Sequence, residues 1–167
     1  MSAKECRGKK LADRLGVSHI SVGDVVRELA SGDSLLGCEI RESWKSASVW
    51  SPLTDHLAIR VASESVRGLD GFVLDGFPRN IIQAKAMDFR PDVVIILHAS
   101  EDVCRTRVLG RRRSDDSTEK FEARLAAERE RLPELISFIR SHWRLLDIDA
   151  SPSPEEVEAE LEFRAED

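Results

Sequence analysis

The spacing of apolar positions changes period repeatedly along the chain, and each change predicts a new element. From residue 4 to about 15, Leu11 and Leu15 fall on one face of a helix that Gly16 closes. A short strand is expected at Ser18-His-Ile-Ser21. A helix then opens at Gly23-Asp24 and runs to about Ala30, with Val25, Val26 and Leu29 inward and Arg27 pointing elsewhere. The turn Ser31-Gly-Asp-Ser34 leads to a weaker helix from about Leu36 to Trp44, and a longer helix is expected from Pro52 to Val66.

The second half alternates in the same way. Gly71-Phe-Val-Leu-Asp75 reads as an apolar strand entering the polar turn Gly76-Phe-Pro-Arg79, and a helix follows from Asn80 to about Met87. The continuous apolar run within Asp92 to Ser100 is the pattern of a parallel strand covered on both faces. Helices are expected from Glu101 to Arg111 and from Ser117 to about Trp143, the latter kinked or broken at Pro133. Leu145 to Asp149 is the last strand, and Ser153-Pro-Glu-Glu156 caps a final helix whose Val157 and Leu161 face the core. Strands alternating with helices predict a parallel, doubly wound α/β sheet, and no repeat or linker divides the chain, so one domain is expected.

Composition narrows the setting. The 167 residues suffice for one sizeable core, no run is long and apolar enough to span a bilayer, and the first residues lack the apolar stretch of a signal peptide. Cys6, Cys38 and Cys104 are odd in number and far apart, which predicts reduced thiols in a cytoplasmic protein. A formal net charge of -6 argues against general nucleic-acid binding. Against that background, residues 105–113 hold five arginines and no acid, a local reversal of sign that calls for an anionic ligand or a solvated patch.

Asp75 and Arg79 lie just beyond the carboxyl end of a predicted strand, where open α/β sheets bind ligands. Read alone, the turn fits an ordinary ion pair as well as a site. Gly76 would tolerate an unusual dihedral there or let a ligand approach the backbone.

Three groups of residues occur in a telling order: His19-Ile-Ser-Val-Gly-Asp-Val-Val-Arg27; Leu74-Asp-Gly-Phe-Pro-Arg79 with Gln83; and Arg107-Val-Leu-Gly-Arg111 with Arg113-Ser-Asp-Asp116 and Arg124. In order and spacing they resemble the adenylate kinase family of nucleoside monophosphate kinases, over nearly the whole chain. The resemblance implies reversible phosphoryl transfer from Mg-ATP to AMP or a related monophosphate, with ATP and Mg2+ as the cofactor pair. It assigns Arg27 and Arg79 to the acceptor phosphate, a use that suits paired guanidiniums. Gln83 is assigned to adenine, Asp75 to magnesium through water, and Gly76 to the nucleotide-binding turn. Arg107, Arg111, Arg113 and Arg124, with Arg79, are assigned to closure around the transferring phosphoryl group. Arg105 and Arg112 fall on no motif position and read as solvated. His19 reads as a structural histidine, and Asp115 and Asp116 either hold the arginines or touch ligand.

The pattern also departs from the family. Ser2-Ala-Lys-Glu-Cys6 falls on the second half of the Gly-rich phosphate loop, so Lys4 takes the lysine's place while Ala3 and Glu5 replace glycines and Cys6 the hydroxyl residue. A carboxylate beside a triphosphate adds repulsion. The expected fold is therefore a P-loop-kinase-like doubly wound sheet lacking its usual first, central strand. Its acceptor region would span about residues 24–66 and a very short lid about residues 111–116. Val22 stands where adenylate kinases carry threonine, and residues 47–52 do not reproduce the usual acceptor loop. The alternative is a non-catalytic nucleotide-binding or interaction protein derived from this fold, or an inactive fragment of a longer kinase. The expected partners are small nucleotides, not nucleic acid or membrane, and the expected state is a monomer.

Overall fold

The computed structural model describes residues 7–46, 53–110 and 117–165. They form two compact units, one ending at Arg90 and one beginning at Pro91.

The first unit runs α1 (Arg7–Leu15), β1 (Ser18–Ser21), α2 (Val22–Ser31), α3 (Leu35–Ser46), α4 (Asp55–Val66), β2 (Phe72–Asp75) and α5 (Ile81–Lys85). Gly16, at φ 66°, turns the chain out of α1 and into β1. β1 and β2 pair in parallel with Ser18 opposite Phe72 and Ser21 opposite Asp75, so both strands end at the same level. The core gathers Val22 and Val26 of α2, Leu36 and Ile40 of α3, Leu57, Val61 and Ala62 of α4, and Phe77 beyond β2. Val25 and Leu29 pack against this cluster, as their helical spacing from Val22 and Val26 requires. Thr54 caps α4 by accepting a hydrogen bond from the Leu57 amide at 3.4 Å. This helix therefore starts at Asp55; Pro52 lies outside the described residues. α5 is shorter than its pattern suggested, since the chain leaves helical geometry at Ala86.

The second unit runs β3 (Val94–His98), α6 (Glu101–Gly110), α7 (Thr118–His142), β4 (Leu145–Asp149) and α8 (Pro154–Ala165). β3 and β4 are parallel, with Val94 opposite Leu145 and His98 opposite Asp149. Ile148, Ala150, Val157 and Leu161 form its core, with Ile95 packed against them. Ser153 and Glu156 make a reciprocal capping box at the start of α8. The Ser153 amide donates to Glu156 Oε2 at 2.9 Å, and the Glu156 amide donates to Ser153 Oγ at 3.2 Å.

α7 passes through Pro133 without a break. A proline removes one backbone donor, but Leu135 and Ile139 just beyond it are both 3% exposed, and their burial offsets that loss. The parallel pairing is as expected, with one two-stranded sheet in each unit among the described residues. β3 is correspondingly less covered than its apolar run predicts: Val94, Ile95 and Ile96 are half-buried and Leu97 is 42% exposed. Among the described residues no helix is long and apolar enough to cross a membrane.

Candidate functional site

In the first unit, the equal ends of β1 and β2 put two turns side by side. Ser21 ends β1 and leads straight into α2, which carries Asp24 and Arg27. Asp75 ends β2 exposed, and Gly76 follows at φ 83°, a left-handed conformation open to glycine at little cost. The Phe77-Pro78 peptide is cis, and Arg79 comes next. Thus Arg27 and Arg79, the two arginines assigned to an acceptor phosphate, both follow the carboxyl ends of neighbouring parallel strands.

Each guanidinium already has a partner. Arg27 Nη2 is ion-paired with Asp24 Oδ1 one helical turn earlier, with both side chains largely exposed. Arg79 Nε donates to the Gly76 carbonyl at 2.9 Å, which folds the side chain back over its own turn. A pair in solvent is worth little, so exchange of Asp24 for a phosphate is energetically easy.

Gln83 sits at the centre of a closed network. Its Oε1 accepts from the Arg79 amide at 2.8 Å, its Nε2 donates to Asp55 Oδ1 at 2.8 Å, and its own amide donates to Asn80 Oδ1 at 2.9 Å. Asn80 Nδ2 donates to the same Asp55 oxygen at 2.8 Å. Gln83 is 3% exposed, and among the described residues no other polar or charged residue is as deeply buried. The amide keeps one hydrogen and one lone pair beyond these bonds. Asp55 and Asn80 were not singled out in the sequence. Asn80 is recoverable from its place just before a helix, where asparagine caps well. Asp55 carries no comparable local signal, because its partners lie 25 and 28 residues away.

His19 is held by packing. A Cβ on Gly8 would stand 2.9 Å from its Nε2, a buried atom with no hydrogen-bond partner among the described residues.

In the second unit, Arg107 is committed to backbone. Its Nη1 donates to the Ala150 carbonyl, and its Nη2 to the carbonyls of Ser151 at 3.2 Å and Pro152 at 2.8 Å. The guanidinium thus braces the loop between β4 and α8. Beside it, Asp149 is held below the ordinary carboxylate range by its hydrogen bonds from Ser151, with smaller contributions from His98 and Arg107. Arg124 lies half-buried on α7.

Arg105 corrects its expectation. It is ion-paired with Glu122 across α6 and α7 and lies over the Phe121 ring, 5.1 Å from the centroid, so it ties two helices together and is not merely solvated. Cys38 and Cys104 are free thiols. Lys4, Cys6, Arg111, Arg112, Arg113, Asp115 and Asp116 lie outside the described residues. Among the described residues no group of three or more His, Cys, Asp or Glu side chains is placed to hold a metal ion.

A family model described as adenylate kinase matches residues 1–143. The adenylate kinase of Corynebacterium urealyticum is 34% identical over 163 residues, which cover 93% of this chain and 89% of that protein. That of Mycobacterium sp. strain MCS is 34% identical over 165 residues, covering 93% and 89%. The adenylate kinase of the more distant Encephalitozoon cuniculi is 28% identical over 160 residues, covering 95% and 89%.

Proposed function

Because the chain belongs to the adenylate kinase family, and so to the nucleoside monophosphate kinases, we propose that it transfers the γ-phosphoryl group of Mg-ATP to AMP. An oxygen of the AMP phosphate attacks the γ-phosphorus, the bond from that phosphorus to the β,γ-bridging oxygen breaks, and two molecules of ADP result. The reaction needs positioning and charge neutralisation more than a general base. The observation that carries this reading is the pair of arginines, Arg27 and Arg79, beyond the level ends of β1 and β2.

In this reading Arg27 leaves Asp24 for the acceptor phosphate and Arg79 takes a second pair of its oxygens. Gln83 offers its remaining hydrogen and lone pair to the adenine edge. Asp75 is an exposed carboxylate at a strand end. A single such group suits magnesium that arrives with nucleotide phosphates and keeps most of its water. Arg111, Arg113 and Arg124 counter the charge that spreads over the transferring phosphoryl group, and Arg107 joins them on leaving the carbonyls of Ala150, Ser151 and Pro152. Lys4 approaches the donor phosphates. The protein works in the cytoplasm, as a monomer, on free nucleotides.

Purified protein given ATP, AMP and magnesium is expected to form ADP. Absence of ADP above background, in protein that still binds AMP, overturns the transfer reaction. It would favour instead a nucleotide-binding protein without catalysis, the reading that Ala3, Glu5 and Cys6 support at the loop positions. Tight ATP binding that is lost in Lys4→Ala would sink that second reading.

A further inference from the structure

We propose that Asp55 is a positioning residue of the acceptor site, which fixes Arg79 for the phosphate through Gln83 and Asn80. The inference rests on the reading above that Arg79 holds the acceptor phosphate.

The geometry makes Asp55 the hub of a relay. One carboxylate oxygen, on the first residue of α4, accepts from both Asn80 Nδ2 and Gln83 Nε2. Two donors on a single oxygen fix the orientation of two amide side chains at once. Neither can flip without placing its own oxygen against the carboxylate. The orientation matters because the far ends of both amides hold backbone: Asn80 Oδ1 takes the Gln83 amide, and Gln83 Oε1 takes the amide of Arg79 itself. Arg79 follows a left-handed glycine and is otherwise exposed, and among the described residues its guanidinium bonds within its own turn, to Gly76. Its backbone is restrained from beyond the turn through the amide held by Gln83, which is anchored to α4 by Asp55. Each bond is about 2.8 Å, near the optimum for its type. Gln83 is nine-tenths and more buried, so losing its carboxylate partner leaves a donor with no water to replace it. The amide would then turn to find another acceptor and release the Arg79 N–H. An arginine displaced by about an ångström loses much of its grip on a phosphate.

The test is a thermodynamic cycle read by titration calorimetry with AMP, with folding checked by thermal unfolding. Asp55→Ala is expected to weaken AMP binding about tenfold, the loss of roughly one hydrogen bond to a charged group. ATP binding should stay within about twofold, since the relay touches only the acceptor turn. In an Arg79→Ala background the same change should cost AMP binding clearly less than it does in the parent, because the phosphate contact it positions is already gone and only the adenine contact of Gln83 is left to disturb. Asp55→Asn keeps a carbonyl oxygen at the hub and is expected to recover most of the affinity. If Asp55→Ala does not fold, Asp55→Glu carries the test, because the added methylene displaces the accepting oxygen.

The outcomes are separable. A wild-type protein that does not bind AMP overturns the functional reading itself. A wild-type protein that binds AMP, with a folded Asp55 variant that binds it equally well, overturns the role of Asp55. So do effects of Asp55→Ala and Arg79→Ala that simply add, which a general loss of stability would produce.

Discussion

A Cβ on Gly37 would collide with the backbone carbonyl of Leu29: it would lie inside contact distance of the oxygen and 3.1 Å from the carbonyl carbon. α2 and α3 can cross this closely only because α3 has no side chain there. Both neighbours are backbone, so relief requires the helices to move apart. Gly37→Ala is expected to destabilise the protein by about 2 kcal/mol despite the better helix propensity of alanine. Urea unfolding of the two proteins, compared at their midpoints, checks the sign as well as the size; a stabilised variant would contradict the close crossing.

Arg41 reaches back from α3 to the end of α2, where its Nη1 donates to the carbonyls of Ala30 at 2.8 Å and Gly32 at 2.6 Å. The last carbonyls of a helix have no partners within it, and a cation suits the negative end of its dipole. Removing the guanidinium in Arg41→Met, which keeps much of the aliphatic stem, is expected to cost about 2 kcal/mol. Arg41→Lys should recover only part, since an ammonium is a point charge and not a planar fork. Thermal melts of the three proteins test the order.

The carboxyls of Asp149 and Glu156 are both held below the ordinary range, the first by Ser151 and the second by the backbone and side chain of Ser153. A carboxylate that binds its proton less tightly in the folded chain stabilises the fold above its unfolded pKa. That contribution is lost as pH falls through the lower, folded value. Stability is therefore expected to fall below about pH 4. Asp149→Asn and Glu156→Gln should be less stable than the parent at neutral pH, and the gap should narrow on acidification. Unfolding midpoints measured at neutral pH and near pH 3 decide it, since a gap that stays constant with pH would exclude the linkage.

Asp75 ends β2 exposed and lies outside the apolar core, so its replacement disturbs no core packing. Asp75→Asn is expected to lower the magnesium-dependent rate of ADP formation by about 10–100-fold, the usual effect of losing a group that orients a metal's ligands. AMP affinity measured without magnesium should be unchanged. A variant as fast as the parent at every magnesium concentration would remove Asp75 from the metal's surroundings.

Local patterns were legible in the sequence where one residue or one period sets the structure. β1 and β4 occupy the predicted residues, and the Ser153–Glu156 box was visible from four consecutive letters. The acceptor motifs were visible for the same reason, being short and contiguous. What local pattern could not carry was tertiary competition. Pro133 signalled a kink or a break, and with Leu135 and Ile139 buried beyond it α7 runs on unbroken. Arg105 had no motif position, and only the packing of α6 on α7 reveals its place between Glu122 and Phe121. Asp55 was hidden because a carboxylate on the first turn of a helix is ordinary, and nothing nearby announces two amides from a turn 25 residues later.

The larger core draws its buried side chains from one unbroken stretch of chain, Val22 to Phe77, with Met87 and Phe89 packed against its margin. Every loop that these core contacts close lies within this stretch, and a shorter loop loses less chain entropy. During synthesis this stretch leaves the ribosome before Pro91 to Ala165, so its apolar side chains can find one another without waiting for the rest. The acceptor turn and the Asp55 relay therefore belong to the part of the molecule able to assemble first, and their geometry is set by neighbours already in place.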